Sequence, residues 1–233
     1  MSDHIVSAFN DEMKNLATRV LEMGGMAETL VRDSIQALLT DNRKLAESTI
    51  EADKRLDAMQ SELEDLSVSI IARRQPMASD LREVVAAMRI SNDLERVGDL
   101  AKNISKRTLA IKGGLGSKEW AQGVEHMADL ALCQLKDTLD TYTSGDLEVL
   151  RQVQLRDEEI DALYTSIFRE LLTYMMEDPR SITKCAHLLF CAKNIERIGD
   201  HATNIAENIY YKITGEHLPN ERPKSDELNA LAN

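Results

Sequence analysis

The 233-residue chain is short of cysteine (three), proline (four), glycine (ten) and aromatic side chains (4%), and each shortage excludes something. Sandwiches and barrels need frequent turns and favour β-branched and aromatic residues, so this composition points to long helices. Cys133, Cys185 and Cys191 are odd in number and none stands in a Cys-x-x-Cys pair. A disulfide framework is therefore not indicated, and the thiols read as small core residues of a reduced chain. Basic residues are also in deficit, 28 against 40 acidic, for a net charge of -12. Nucleic acid is held by clustered Lys and Arg that release counterions, and no basic block exists to do so. No run approaches the roughly 20 apolar residues that span a bilayer. The stretch Met1 to Phe9 has neither a basic n-region nor an apolar h-region, so a cytoplasmic protein without membrane insertion is expected.

What the chain does have is 43% hydrophobic residues, set at helical spacing. Phe9, Met13, Leu16, Val20, Met23, Ala27 and Leu30 step alternately by four and three, as the seam of a bundle does. Ala52, Leu56, Met59, Leu63, Leu66 and Ile70 form a second such seam, which stops before Pro76 because a residue preceding proline leaves the α region. Ile90, Leu94, Val97, Ala101 and Ile104 form a third. The spacing predicts helices over about residues 3 to 40, 43 to 73, 79 to 110, 118 to 143, 147 to 177 and 181 to 212.

The second three helices repeat the first three. Leu94-Glu-Arg-Val-Gly-Asp-Leu-Ala-Lys-Asn-Ile104 lies over Ile195-Glu-Arg-Ile-Gly-Asp-His-Ala-Thr-Asn-Ile205 at an offset of 195 − 94 = 101. Asp53-Lys-Arg-Leu-Asp57 likewise lies over Asp157-Glu-Glu-Ile-Asp161, at 157 − 53 = 104. An all-α fold of two tandem, pseudo-repeated three-helix bundles is expected. The first spans 1–112, the second 113–214 after a Gly-rich linker at Gly113 to Ser117, and a polar tail covers 215–233.

Within the repeat, Glu95, Asp99 and Asn103 share one helical stripe, and Glu196, Asp200 and Asn204 share its copy, opposite the apolar seam. Asp53 with Asp57, and Asp157 with Asp161, add a carboxylate pair at i, i+4 to each bundle. Were neighbouring helices to bring these pairs together, four carboxylates would crowd one outward patch per bundle. Like charges at such range raise one another's pKa unless a cation neutralises them, and all-oxygen donors suit Mg, Mn, Fe or Zn. A single acidic stripe is ordinarily a solvated face; its duplication, in copies that differ elsewhere, argues for a position-specific demand. Gly98 and Gly199 mark close helix packing, and Arg96 and Arg197 are placed as well to brace a neighbouring carboxylate as to touch a ligand.

Other chemistries find no support in the sequence. His201 has Leu100 as its counterpart, so it reads as a surface or interhelical residue rather than a duplicated phosphoryl acceptor. Glu-x-x-His and His-Glu-x-x-His are absent, Gly-Gly-Leu-Gly-Ser-Lys lacks the order of a phosphate loop, and no Ser/His/Asp arrangement can be extracted. Two alternatives to a non-enzymatic adaptor stay open: a metal-dependent hydrolase acting on phosphate compounds through the same carboxylates, and a purely structural helical spacer. Against the hydrolase, no positive group outside the Arg96 and Arg197 positions is expected to hold a substrate's charge.

The two Glu-Arg-[Val/Ile]-Gly-Asp segments, taken with Arg73-Arg-Gln-Pro-Met-Ala-Ser-Asp-Leu-Arg82 and the early Phe9-Asn-x-Glu-Met13, resemble the PhoU family over about residues 7 to 211. The resemblance implies two similar three-helix bundles in a cytoplasmic, often dimeric protein, not an enzyme. It further implies a negative regulator of phosphate uptake and of the phosphate-starvation response, linking the ATPase subunit of a phosphate ABC transporter to a membrane sensor histidine kinase. Some members bind iron or zinc clusters through Glu/Asp-x-x-x-Asp motifs. Carried over, the metal ligands (iron, zinc or another divalent ion) would be Asp53, Asp57, Glu95 and Asp99, then Asp157, Asp161, Glu196 and Asp200. The Gln-Pro-x-Ala-x-Asp-Leu-Arg segment has only a faint counterpart around Asp178-Pro179-Arg180, so the halves need not serve one partner.

Overall fold

The computed structural model describes residues 2–111, 113–115 and 118–219, with side chains placed from Ser7 onward and, past the linker, from Trp120 onward. Among the described residues six helices follow one another: α1 (Ser2–Thr40), α2 (Arg43–Arg74), α3 (Ser79–Ala110), α4 (Lys118–Ser144), α5 (Leu147–Glu177) and α6 (Ile182–Thr214), with a 3-10 turn at Pro179–Ser181 before α6. Each helix extends within a residue or two of its sequence-based span. The polar tail falls, from residue 220, outside the described residues.

The helix ends follow local chemistry. Asn42 Oδ1 accepts from the Leu45 amide at 3.1 Å and Asp146 Oδ1 from the Glu148 amide at 3.1 Å, satisfying amides that the first turns of α2 and α5 leave open. Gly215, at φ 80°, closes α6 in the left-handed conformation. At the α2–α3 corner Gln75 and Ala78, on either side of Pro76, both take φ 49° without being glycine. That strained corner is anchored, because Arg74 donates twice to Glu12 (2.9 and 3.1 Å) and Arg73 once (3.2 Å). The Arg-Arg-Gln-Pro segment and the early Asn-x-Glu segment are thus two sides of one contact between α2 and α1.

Helices α1–α3 pack on one another, as do α4–α6, and the halves join mainly along α3 and α6 with α1 also meeting α4. The seam residues Leu16, Val20, Met23, Ala27, Leu56, Leu63, Ile90, Leu94 and Val97 are fully buried, as are Leu135, Leu150, Ile160, Ile195 and Ile198 in the second half. They belong to one continuous apolar core, since the two triplets bury their inner helices against each other rather than against solvent. The thiols divide: Cys185 and Cys191 lie in this core, whereas Cys133 is exposed, correcting the expectation that all three fill it. Cys133 faces outward beside Asp137, with Sγ 3.7 Å from its Oδ2.

Candidate functional site: two carboxylate patches on the bundle flanks

The tight helix contact that forms each patch depends on a glycine. In the first half, a Cβ on Gly98 of α3 would lie 2.5 Å from Leu56 Cδ2, 3.1 Å from Asp53 Oδ1 and 3.5 Å from Leu30 Cδ1. In the second, a Cβ on Gly199 of α6 would lie 3.2 Å from Gln134 Oε1, 3.2 Å from Ile160 Cδ1 and 3.4 Å from Asp157 Oδ1. The missing side chain lets α2 approach α3, and α5 approach α6, closely enough for an aspartate of one to lie over the glycine of the other. The helical stripes of the sequence set Glu95, Asp99, Glu196 and Asp200 on the outside, and Asp53, Asp57, Asp157 and Asp161 beside the apolar face. Six are exposed or half-buried, but Asp53 is 1% and Asp157 6% exposed; the close approach at the glycine draws these two inward.

The first patch contains its own cation. Lys102, one turn after Asp99, places Nζ 2.5 Å from Asp53 Oδ2 and 2.5 Å from Asp99 Oδ1. Burial opposes the charge on Lys102, but the hydrogen bonds and charges of Asp53 and Asp99 outweigh it and hold the ammonium well above the ordinary lysine range. Burial pushes Asp53 up while Lys102 pulls it down. Glu95 is raised by burial and by Asp99, Asp57 and Asp53, with Arg96 opposing. Arg96 Nε stands 3.4 Å from Glu95 and its Nη1 3.4 Å from Asp99, the bracing role of the two open to its position.

The second patch has the same four carboxylate positions and different company. The counterpart of Lys102 is Thr203, fully buried, which donates to the Gly199 carbonyl at 3.2 Å. Lys193 Nζ pairs with Glu196 Oε1 at 2.5 Å, while Glu196 Oε2 is buried with no hydrogen-bond partner. Loss of water around Asp161, together with the charges of Asp157, Glu196 and Asp200, pushes its carboxyl up to about 6 despite Lys193. Arg197, the counterpart of Arg96, forms no ion pair among the described residues.

Among the described residues no three His, Cys, Asp or Glu side chains converge to hold a metal ion as they stand. The donors nevertheless differ in how well they fit one. In the first patch a metal ion would have to approach within a few ångströms of the Lys102 ammonium, and repulsion between the cations disfavours that. In the second, an orphaned carboxylate oxygen and a carboxyl raised by its acidic neighbours leave a negative excess that suits a hard cation. Bound there, such an ion would neutralise the carboxylates and tie α5 to α6; Asp157, Asp161, Glu196 and Asp200 would hold it.

Lys102 and Gln134 are not singled out by the sequence patterns, although Lys opposite Thr inside a largely matching eleven-residue repeat was the visible signal for the first. His201 is interhelical: its Nδ1 lies 3.0 Å from Asp93 Oδ1 on α3, joining the halves.

Residues 20–108 and 124–209 each match the PhoU domain, the two stretches being the two halves described above. The chain belongs to the PhoU family. It is 56% identical over 98% of its length, and 96% of the relative's, to a protein of Rhizobium meliloti (strain 1021) named phosphate-specific transport system accessory protein PhoU homolog. A protein of the same name from Caulobacter vibrioides is 50% identical over 98% of this chain and 100% of its own. Crystal structures of PhoU from Pseudomonas aeruginosa (TM-score 0.86, 34% identity, covering 89% of this chain and 100% of that one) and Streptococcus pneumoniae (TM-score 0.83, 28%, 91% and 99%) share the fold. In this PhoU-family chain no helix among the described residues is long and apolar enough to cross a membrane.

Proposed function

We propose that the chain is a non-enzymatic regulator of phosphate homeostasis, acting at the cytoplasmic face of a phosphate-specific transport system. It restrains phosphate uptake and the phosphate-starvation response by linking the transporter's ATPase subunit to a membrane sensor histidine kinase, working as a homodimer with divalent metal bound at carboxylate patches. The observation that carries this reading is near full-length identity, at 50% and above, to relatives named as accessory proteins of phosphate-specific transport.

The molecular surface supports an adaptor. Met77 is exposed between α2 and α3, and Met176 at the end of α5 and Ile182 at the start of α6 are exposed at the matching corner of the second half; apolar side chains accessible to solvent suit a docking partner. Because the halves are homologous but not identical, two different partners can be engaged by one chain. Deletion of the gene tests the role: phosphate-starvation genes should be expressed in high phosphate, and unchanged expression would reject it. Pull-down of the tagged chain from membranes in high and low phosphate should recover the ATPase subunit and the kinase; recovery of neither would reject the linking role.

A further inference from the structure

Two cavities open along the contact between α3 and α6, and the internal repeat relates them. The smaller, of about 280 Å3, is lined by Asn103, Lys106, Arg107 and Ala110 of α3 and by Phe190 and Asn194 of α6. Shifted by 204 − 103 = 101 positions, these become Asn204, Glu207, Asn208, Tyr211, Arg89 and Asp93, all of which line the larger cavity of about 550 Å3. One site has thus been formed twice, once at each end of the helix pair. The copies differ in charge. Three carboxylates line the larger cavity, those of Glu64, Asp93 and Glu207. Their counterparts are Phe168, at the offset of 168 − 64 = 104 that relates α2 to α5, then Asn194 and Lys106. Asn208 is likewise exchanged for Arg107. No carboxylate lines the smaller cavity, and among the described residues neither Lys106 nor Arg107 forms an ion pair, although the chain's net charge is -12. Two unpaired cations beside one cavity repel each other, and an anion between them is attracted by both.

Arg107 is also oriented. Its guanidinium stands over the Phe190 ring, 4.3 Å from the centroid, which occupies one face of the group and leaves its N–H edge for a ligand. In the larger cavity Arg89 stands over Tyr211 in the same way, at 5.9 Å, but there the three carboxylates share the space. A planar guanidinium fork, an ammonium and the amides of Asn103 and Asn194 are donors suited to a tetrahedral, doubly charged oxyanion. The volume lies just below the roughly 300–1,000 Å3 of pockets for drug-sized ligands, so the anion must be compact.

We infer that the smaller cavity binds a compact dianionic oxyanion of the phosphate type, either the free ion or the phosphoryl group of a small ester. Arg107 and Lys106 supply the charge, and Asn103 and Asn194 the neutral donors. Phe190 is a positioning residue acting through Arg107. The larger cavity, with its carboxylates retained, repels such an anion. The site uses none of the eight carboxylates of the flanking patches and needs no metal, so it stands apart from the regulatory reading.

The test is calorimetric titration of the full chain, stripped of metal and dialysed free of chelator, with inorganic phosphate, glycerol 3-phosphate and malonate in turn. Wild type should bind one phosphate-type anion per chain and malonate more weakly; whichever of the first two binds tighter names the source. Arg107→Ala removes a charged hydrogen-bonding partner and should weaken binding about tenfold or more. Phe190→Leu should weaken it as well, while Phe190→Tyr, which keeps the ring, should not. Lys106→Glu combined with Arg107→Asn gives this cavity the residues its copy already carries, and should abolish binding. Arg89→Ala alters only the other cavity and should leave binding unchanged. These side chains are exposed or half-buried, and thermal melts without ligand identify any variant that fails to fold. No binding of phosphate or its ester by wild type at millimolar concentration, undiminished affinity in the double variant, tighter binding of malonate than of either, or loss of binding in Arg89→Ala would each overturn the assignment. The regulatory role is tested separately by gene deletion and survives any of these results.

Discussion

Three glycines in helix interiors give a worked test of the packing that forms the patches. Replacing a helical glycine with alanine, where space allows, stabilises by about 1 kcal/mol through propensity alone. Gly25 on α1 has nothing within 4 Å of where an alanine methyl group would sit, so Gly25→Ala should gain about that amount. At Gly98 the new methyl would lie 2.5 Å from Leu56 Cδ2, over an ångström inside ordinary carbon–carbon contact. Leu56 is fully buried and cannot swing to solvent. Overpacking of this kind costs about 1–3 kcal/mol, and the 3.1 Å approach to Asp53 Oδ1 adds a disturbance of the Lys102 pair. After the propensity gain, Gly98→Ala should destabilise by about 1–2 kcal/mol, or roughly 2–8 °C in Tm for a chain of this size. At Gly199 the nearest atoms stand at 3.2 Å, a misfit of a few tenths of an ångström, and the two terms should cancel to within about 0.5 kcal/mol. Urea unfolding followed by circular dichroism in chelator reads all three. Equal changes at Gly98 and Gly199, or a Gly98→Ala protein as stabilised as Gly25→Ala, would refute the claim that glycine is needed there for close helix approach.

Lys102→Met should destabilise by about 2–3 kcal/mol, toward the low end for a broken buried pair because Lys102 retains some exposure; Asp53→Asn added to it should recover part of that loss, and a single-mutant cost below about 0.5 kcal/mol would contradict the tethered-cation role. Asp161 is held at about 6 when folded against 3.8 otherwise. The folded state therefore keeps an extra proton between those values, and the stability this contributes is complete below about pH 4 and lost as pH rises through 6. In chelator, Asp161→Asn should narrow the drop in Tm between pH 5 and pH 7.5; an unaltered drop counts against the crowding of the second patch. One thiol, Cys133, should react with a disulfide reagent in the native protein, since Cys185 and Cys191 are buried and burial pushes Cys191 up to about 12. Two or three fast-reacting thiols would place the cysteines elsewhere.

The helices, their order and their duplication could be read from the letters because each depends on local facts: a 4-3 apolar period, Pro76 and Pro179 as stops, and matching segments 101 and 104 residues apart. The eight carboxylates were legible for the same reason. Their environments were not. Whether an aspartate is solvated or buried depends on how closely α2 meets α3, and α5 meets α6, which Gly98 and Gly199 set across helices distant in sequence. The pairing of Arg73 and Arg74 with Glu12 likewise unites two motifs some 60 residues apart that sequence reading treats as separate.

The sequence alone thus determined an all-α chain of two related halves carrying two sets of four carboxylates, since helical periodicity and repetition are properties of neighbours along the chain. Only the tertiary structure decided which charges meet. Lys102 reaches Asp53 across 49 positions of sequence, and Gln134 meets Thr203 across 69. Electrostatic interaction falls with distance in space, so two patches with the same carboxylates can differ in the charges that surround them.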